Sequence, residues 1–383
     1  MNRVLRLLCP LGAVPMVLLA ACASAPAPSM RAASTPMTAA SVASPPIRHV
    51  FVIVLENEPY EVTFNSQSLA PYLARELPKQ GLLLQNYYAI GHNSLDNYIA
   101  LISGQAPNPD TQGDCPVFRD FVRTQPGLDA NGQAPGSGCV YPADVKTLPD
   151  QLEAARLTWK GYMEDMGADP AREATACGHV AIGARDRTNR AAPNDQYADK
   201  HNPFVYFHSI IDDRARCAMH VVNLRELDHD LASAATTPNY AFITPNLCHD
   251  GHDAPCRNGE PGGLISADGF LRTWVPKILA APAFQKDGLL IVTFDEGTAG
   301  DACCGEQPLP GGPPPGRFGP GGGRTGAVLI SPFIRPGTVS TRDYNHYSLL
   351  RSIEDLFALP HLGYADAQGL RPFGTDVYTA AQH

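Results

Sequence analysis

Two apolar runs that end in acidic or amide side chains constrain the fold of this 383-residue chain more than any other feature. The runs and the residues that follow them are 49–55 with Glu56 and Asn57, and 288–294 with Asp295 and Glu296. Apolar runs of this length are typical of strands that are buried on both faces, as in a parallel sheet. Ligands bind at the carboxyl ends of such strands, so these four residues are predicted to share one site.

Further strand and helix patterns alternate along the chain. The predicted strands are 82–90, 158–163, 240–244 and 327–330, and the predicted helices are 94–103, 148–157, 264–280 and 346–359. Residues 205–211 suit a helix or a strand, and the Pro/Gly-rich residues 305–323 predict a loop. The alternation predicts an α/β fold with a doubly wound, mostly parallel sheet flanked by helices.

The first 46 residues have the pattern of an export segment followed by a tether. Residues 1–21 combine two arginines with a short apolar stretch, which predicts a signal peptide of the lipoprotein type. The sequence Leu-Ala-Ala-Cys ending at Cys22 matches a lipobox and predicts a periplasmic or cell-surface lipoprotein anchored through Cys22. A plain signal peptide with an incidental cysteine is the alternative. Residues 22–46, rich in Ala, Ser and Pro, predict a tether, and 47–383 predict one folded domain.

Cysteine usage agrees with export. Eight cysteines lie beyond Cys22, and an even number in an exported chain favours disulfides. From nearness in sequence we expect the pairs Cys115–Cys139, Cys177–Cys217 and Cys248–Cys256. The adjacent Cys303 and Cys304 pair with each other or elsewhere. A zinc site is the alternative, although the chain has no CxxC pair.

The residue types at the predicted strand ends suit phosphate ester hydrolysis. Oxygen ligands from Glu, Asp and Asn suit a divalent cation, which polarises a phosphoryl oxygen and lowers the pKa of a bound hydroxyl. Ser94, at the start of a predicted helix, offers a nucleophile where backbone N–H groups hold a phosphate. The alternatives are an ordinary helix cap for Ser94 and solvated strand ends or turns for the acids.

Histidines near the same segments offer acid–base groups. Residues 249–253 hold two histidines and two aspartates, among them His252 and Asp253, and a solvated loop is the alternative for this cluster. His346 opens the last predicted helix and His201 lies in a polar segment, and taken alone each is more often a structural residue.

Five segments, taken in order, resemble motifs of the bacterial phosphoesterase family that includes acid phosphatases and non-specific phospholipases C. They are 52–60 (VIVLENEPY), 93–98 (NSLDNY), 242–246 (FITPN) leading to His252 and Asp253, 293–297 (TFDEG), and 331–337 with 345–355. The resemblance covers roughly residues 47–365 and implies an alkaline-phosphatase-like fold for the predicted phosphoesterase domain.

The resemblance implies a role for each motif residue. The implied residues are catalytic Ser94, His252, Asp253 and His346, substrate-binding Asn97 and His201, and metal-binding Glu56, Asn57, Asp295 and Glu296. The sequence departs from the motifs at three places. Asp96 replaces a proline, Ala302 replaces a histidine, and Glu58-Pro59 replaces a polar residue and a serine. The alanine argues against a two-metal site.

The resulting interpretation is a monomeric phosphomonoesterase, similar to acid phosphatases, that forms a phospho-enzyme at Ser94 with one bound divalent metal ion. A phospholipase C that cleaves phospholipid headgroups is the first alternative, and a non-catalytic surface lipoprotein is the second. The net charge of −9 argues against a nucleic-acid partner. The expected partners are therefore a phosphate-ester small molecule or a phospholipid, with membrane contact only through the lipid anchor.

Overall fold

The computed structural model describes residues 45–317 and 319–379. The predicted signal peptide, the lipobox and nearly all of the tether lie outside the described residues. Ile47, where the folded domain was predicted to begin, is fully buried. Within the described part of the chain, no helix is both long enough and apolar enough to cross a membrane.

In the part of the chain that the structure describes, ten strands lie in two sheets. They are β1 (His49–Leu55), β2 (Leu82–Tyr88), β3 (Val122–Arg123), β4 (Gly136–Ser137), β5 (Trp159–Met163), β6 (Val221–Asn223), β7 (Tyr240–Thr244), β8 (Gly288–Phe294), β9 (Ala327–Ile330) and β10 (Thr338–Asn345). Strands β3 and β4 form a small hairpin, and the other eight form one sheet in the order β10-β2-β9-β8-β1-β7-β5-β6. Only β9 runs antiparallel to its neighbours, so the predicted mostly parallel sheet is confirmed.

Helices cover both faces of the large sheet. They are α1 (Tyr60–Thr63), α2 (Leu77–Gln80), α3 (Ser94–Ser103), α4 (Leu148–Ala154), α5 (His208–Ile211), α6 (Arg214–His220), α7 (Glu226–Asp230), α8 (Gly263–Ala280), α9 (Pro282–Asp287) and α10 (His346–Phe357). Successive residues of a strand point to opposite faces. Accordingly Val50, Val52 and Val54 pack with α3 and α10 in one core, whereas Phe51, Ile53 and Leu55 pack with α8 in the other. The sheet is therefore doubly wound, as predicted.

Several local elements were not predicted, namely strands β3, β4, β6 and β10 and helices α1, α2, α6, α7 and α9. Strand β10 was not predicted, because its sequence TVSTRDYN is largely polar and most of its first six residues are exposed or half-buried. An edge strand with one solvated face lacks the apolar run that marks a central strand. The ambiguous residues 205–211 form a short 3-10 turn followed by α5.

Four disulfides close loops in the folded domain. The predicted pairs Cys115–Cys139, Cys177–Cys217 and Cys248–Cys256 are confirmed, and Cys303 pairs with Cys304. The zinc alternative is therefore wrong for these eight residues, because a disulfide sulfur is not a thiolate ligand. Disulfides of this number are typical of exported proteins.

Removal of the Cys177–Cys217 bridge should destabilise the fold more than removal of Cys248–Cys256. The two bridges join residues 40 and 8 positions apart, and a longer loop restricts the unfolded chain more. We expect paired alanine substitutions to lower the free energy of unfolding by about 4 and about 2.5 kcal/mol, respectively. Urea unfolding of the oxidised proteins measures both losses, and an inverted ranking would contradict the prediction.

Candidate active site

Glu56 and Asp295 lie side by side because they end the neighbouring parallel strands β1 and β8. The Asp295 N–H donates to the Leu55 carbonyl at 2.8 Å. The Asn57 and Glu296 N–H groups both donate to Asp295 Oδ1, at 3.0 and 2.6 Å. The main chain therefore fixes the Asp295 carboxylate, and both Asp295 and Glu56 are buried.

Ser94 reaches the same edge of the sheet from the start of α3. Its Oγ donates a hydrogen bond to Glu56 Oε1. Lys200 Nζ lies 3.2 Å from Ser94 Oγ and 3.2 Å from Asp114 Oδ2. Asp114 in turn accepts from the Leu95 N–H at 3.1 Å. The Ser94 hydroxyl thus lies between a carboxylate and an ammonium group.

His201 and Asp250 complete the surroundings of Glu56. His201 Nε2 pairs with Glu56 Oε2, and His201 Nδ1 lies 3.6 Å from Asp250 Oδ2. The His201 ring stacks on Tyr98 of α3, with ring centroids 5.1 Å apart. The Glu56 N–H donates to the Asp250 carbonyl at 2.8 Å. Since His201 and Asp250 are also buried, the segments around 201 and 250 close over the end of β1.

The electrostatics of these buried acids are unusual. Burial, and then the charge of Glu56, raises the pKa of Asp250 and of Asp295 well above the usual range. The same two causes raise the pKa of Glu296 to about 7. Burial also acts against ionisation of Glu56, but its partners His201, Lys200 and Ser94 outweigh burial and lower the pKa of Glu56. The positive charge nearby is therefore too small to stabilise four ionised carboxylates, which belong to Glu56, Asp250, Asp295 and Glu296.

This set of side chains fits a divalent cation. Glu56, His201 and Asp250 form one group of ligand atoms within 4.8 Å of one another, and Glu56, Asp295 and Glu296 form a second. One oxygen each of Asp250 and Asp295 is buried without a hydrogen-bond partner among the described residues. A cation would satisfy these oxygens and offset their mutual repulsion.

A model of the phosphoesterase family matches residues 63–360. The chain belongs to the phosphoesterase family. A phosphate-repressible acid phosphatase of Penicillium chrysogenum is 28% identical over 317 residues, which are 82% of this chain and 60% of that protein. A phosphatidylinositol-3-phosphatase of Mycobacterium tuberculosis is 25% identical over 85% of this chain and 82% of its own.

The chain spans about 60% of the length of the fungal acid phosphatases that it matches. Among solved structures, a protein in the alkaline phosphatase superfamily from Vibrio parahaemolyticus is similar, with 14% identity and a TM-score of 0.46. The matched parts are 88% of this chain and 73% of that one.

Three predicted site residues, Asn57, His252 and Asp253, lie around the two groups of candidate metal ligands. Asn57 has a left-handed backbone (φ 58°) and its Nδ2 donates to Glu56 Oε1 at 2.8 Å, so its amide orients Glu56. His252 is half exposed and lies at the rim, where Nδ1 is 2.9 Å from Asp253 Oδ1. The hydrogen bond with Asp253 raises the pKa of His252 to about 9.

The predicted catalytic residue His346 lies behind the site rather than in it. His346 is fully buried, with Nδ1 2.9 Å from the Tyr87 hydroxyl and Nε2 2.6 Å from the Asp295 carbonyl. Burial lowers the pKa of His346 to about 4. Because both ring nitrogens are engaged, His346 supports Asp295 and does not face a substrate. This differs from the expected action at the phosphate.

Asn97 is likewise committed to the protein. Its Oδ1 accepts from the N–H groups of Ile90 and Gly91, both at 2.9 Å, and its Nδ2 donates to the carbonyls of Gly91 and Asn93. The amide therefore holds the loop that precedes Ser94. The resemblance had implied contact with the phosphate instead. A buried asparagine with four backbone partners has no hydrogen bond left for a ligand.

Asp96, the departure from the family's proline, is buried against the loop before Ser94. Its carboxyl is buried against Gly91, where an added Cβ would lie 2.3 Å from Oδ1. Burial, and then the charges of Glu296 and Asp114, raises the pKa of Asp96 well above the usual range. Burial therefore disfavours the charged form of this carboxyl.

The sequence interpretation missed Lys200, Asp114 and Asp250. Asp250 lies in the same cluster, 249–253, as the predicted residues His252 and Asp253, and Lys200 directly precedes the predicted residue His201. Asp114 has no local signal, because only its contacts with Lys200 and α3 place it near Ser94.

Proposed function

We propose that this protein is a phosphomonoesterase of the acid phosphatase type that works through a Ser94 phospho-enzyme. One observation carries the proposal: the Ser94 hydroxyl donates to Glu56 and contacts Lys200 within a buried group of acids that suits a cation. Family membership and the acid phosphatase relatives support the same chemistry.

The arrangement supports a two-step reaction. Ser94 Oγ attacks phosphorus as its proton passes to Glu56 Oε1, and the bond from phosphorus to the leaving oxygen breaks. The leaving oxygen takes a proton from His252, which lies at the rim beside Asp253. Water then attacks the phosphoserine and returns a proton to His252, while Ser94 recovers its proton from Glu56. Lys200 stabilises the charge on Oγ in both steps.

We propose one divalent cation, held by Glu56, Asp295 and Glu296 with Asn57 orienting Glu56. His201 and Asp250 form the alternative ligand group around the same Glu56. When bound, the ion supplies Lewis-acid polarisation of the phosphoryl oxygens. The hard oxygen ligands favour a cation of the magnesium, calcium or manganese type, whereas a group with His201 also suits zinc.

Export and membrane attachment belong to the same proposal. The four disulfides are compatible with an oxidising compartment. We propose a periplasmic or cell-surface location with a lipid anchor on Cys22, the tether 22–46, and a monomeric catalytic domain beyond it. Radiolabelled palmitate incorporation that is lost in Cys22→Ser tests the anchor.

An assay of the purified domain, residues 47–383, tests the activity. We expect release of p-nitrophenol from p-nitrophenyl phosphate, at least tenfold faster than from p-nitrophenylphosphorylcholine, and loss of both activities with chelator. The monoester is preferred because Lys200 and the cation neutralise its second negative charge.

The same assay separates the alternatives. Faster release from the phosphorylcholine diester would replace the phosphatase with a phospholipase C. Silence on both compounds, in protein that binds metal, would favour the non-catalytic lipoprotein. Activity that survives full removal of metal would contradict the cation.

A further inference from the structure

A basic cavity adjoins the proposed nucleophile. It has a volume of about 370 Å³, and three arginines of one segment line it: Arg185, Arg187 and Arg190. Lys200 and Asp114 complete the side that faces Ser94. In a chain of net charge −9, a local excess of positive charge is a specific feature.

The three guanidinium groups have no acidic partner. Within residues 45–317 and 319–379, no carboxylate lies within 4.0 Å of the side chains of Arg185, Arg187 or Arg190. Lys200, in contrast, is paired with Asp114. The buried Asp186 accepts hydrogen bonds from the N–H and hydroxyl of Thr188. Four basic and two acidic side chains therefore line the cavity, and positive charge is in excess.

The segment that carries these arginines is held by its backbone. Arg172 donates to the carbonyls of Arg187 and Arg190, at 3.2 and 2.8 Å. Thr188 Oγ1 accepts from the Asp199 N–H at 2.8 Å, one residue before Lys200. None of these contacts uses an arginine side chain of the segment, so the backbone is held while the exposed guanidinium groups stay available to a ligand.

Lys200 connects the cavity with the reaction. Its Nζ lies 3.2 Å from Ser94 Oγ, and the same residue lines the cavity. A substrate held at Ser94 would therefore lie beside a space lined by arginines. Arginine binds phosphate oxygens through paired N–H groups, which an uncharged alcohol cannot match.

We propose that Arg185, Arg187 and Arg190 bind a second phosphate on the leaving group, so that the preferred substrates are bisphosphorylated compounds. This proposal rests on the proposed phosphatase activity and adds the substrate class to it. A second phosphate occurs in soluble sugar bisphosphates and in phosphoinositide headgroups, and the chemistry of recognition is shared.

The test compares glucose 1,6-bisphosphate with glucose 6-phosphate in the wild-type domain and in the triple variant R185Q/R187Q/R190Q. We expect the wild type to prefer the bisphosphate, and the variant to raise its KM for the bisphosphate roughly tenfold or more. The KM for glucose 6-phosphate and the kcat for p-nitrophenyl phosphate should change less than twofold. The control R48Q/R156Q/R335Q removes three exposed arginines flanking the opposite edge of the sheet and should leave all values unchanged.

A binding measurement separates this proposal from the proposed function. Calorimetric titration of Ser94→Ala with glucose 1,6-bisphosphate needs no turnover, and the triple arginine change should weaken binding by the same factor. An inactive wild type that still binds the bisphosphate through these arginines would overturn the phosphatase and retain the cavity. An active wild type with equal KM values for both sugars, or an equal effect of the control variant, would overturn the cavity.

Two further arms identify the source of the second phosphate. Soluble inositol 1,3-bisphosphate and phosphatidylcholine vesicles that contain phosphatidylinositol 3-phosphate carry related headgroups. A rise in KM for both supports recognition of the headgroup phosphate in solution and on a membrane, and a rise for neither overturns the proposal. The single variant R190Q, compared with R335Q, repeats the measurement if the triple variant does not fold.

Discussion

Ser94→Ala should abolish turnover of phosphate monoesters while the domain stays folded. The Ser94 hydroxyl donates to Glu56 and contacts Lys200, and no other group within the described residues takes its place between them. Without a nucleophile the covalent route is lost, and we expect kcat to fall on the order of 10⁴-fold or more. Steady-state kinetics with p-nitrophenyl phosphate measure the loss.

Ser103→Ala is the matched control for this substitution. Ser103 ends the same helix, is equally buried, and donates to the Ile99 carbonyl at 2.7 Å. Its loss should cost about 1 kcal/mol of stability and leave kcat within twofold. Acid-quenched wild-type enzyme should also carry a phosphoryl group on the peptide that contains Ser94. Wild-type rates in Ser94→Ala, or phosphorylation of a different peptide, would remove Ser94 from the mechanism.

Asp295→Asn should remove the metal and the activity together. Asp295 Oδ1 accepts two backbone hydrogen bonds that an amide oxygen keeps, whereas Oδ2 has no partner among the described residues and is a candidate metal ligand. An amide nitrogen in place of Oδ2 carries no charge and cannot ligate. We expect metal affinity to fall roughly 100-fold or more, by comparison with the 10- to 100-fold typical of residues that only support a ligand. Atomic emission of dialysed protein measures the metal content.

The stability of the metal-free protein gives a second readout. Asp295 lies close to the buried carboxylates of Glu56 and Glu296, so Asp295→Asn removes charge repulsion and should not lower the melting temperature of the metal-free protein. The rise in melting temperature that Mg²⁺, Mn²⁺ or Zn²⁺ causes in the wild type should be absent from the variant. Asp287→Asn is the matched control. Asp287 is a buried aspartate at the opposite edge of the sheet, where its Oδ1 lies 2.5 Å from His49 Nδ1. Unchanged metal content in Asp295→Asn, or equal loss in Asp287→Asn, would contradict the ligand assignment.

Local sequence determined the central part of the fold. The runs that became β1 and β8 are buried at every position and nearly continuous in apolar residues because both of their faces are covered by helices, and the apolar run is visible without a structure. The acids that follow them fall at one edge because parallel strands end together. The sequence therefore predicts Glu56, Asp295 and Ser94 as site residues. In the structure Ser94 donates to Glu56, and Asp295 lies beside Glu56 at the end of the neighbouring strand.

Only the tertiary structure decided which polar residues share that edge. Lys200 contacts Ser94 from 106 positions away, and Asp114 contacts Lys200 from 86 positions away, so no local pattern indicates either pair. For His346 and Asn97 the motifs predicted contact with the substrate. In the structure His346 instead bonds the Asp295 carbonyl, and Asn97 bonds the loop before Ser94. A motif fixes residue type and approximate place, whereas the direction of a side chain depends on what packs against it.

The sequence by itself determined the buried central strands, the three predicted disulfide pairs and the residue types of the site, because periodicity, spacing and hydrogen-bonding chemistry are properties of short segments. The tertiary structure decided the antiparallel direction of β9, the polar edge strand β10 and the arginine-lined cavity. Each of these depends on contacts between segments distant along the chain. Such contacts form only when burial of both cores offsets the entropy of closing the intervening loops.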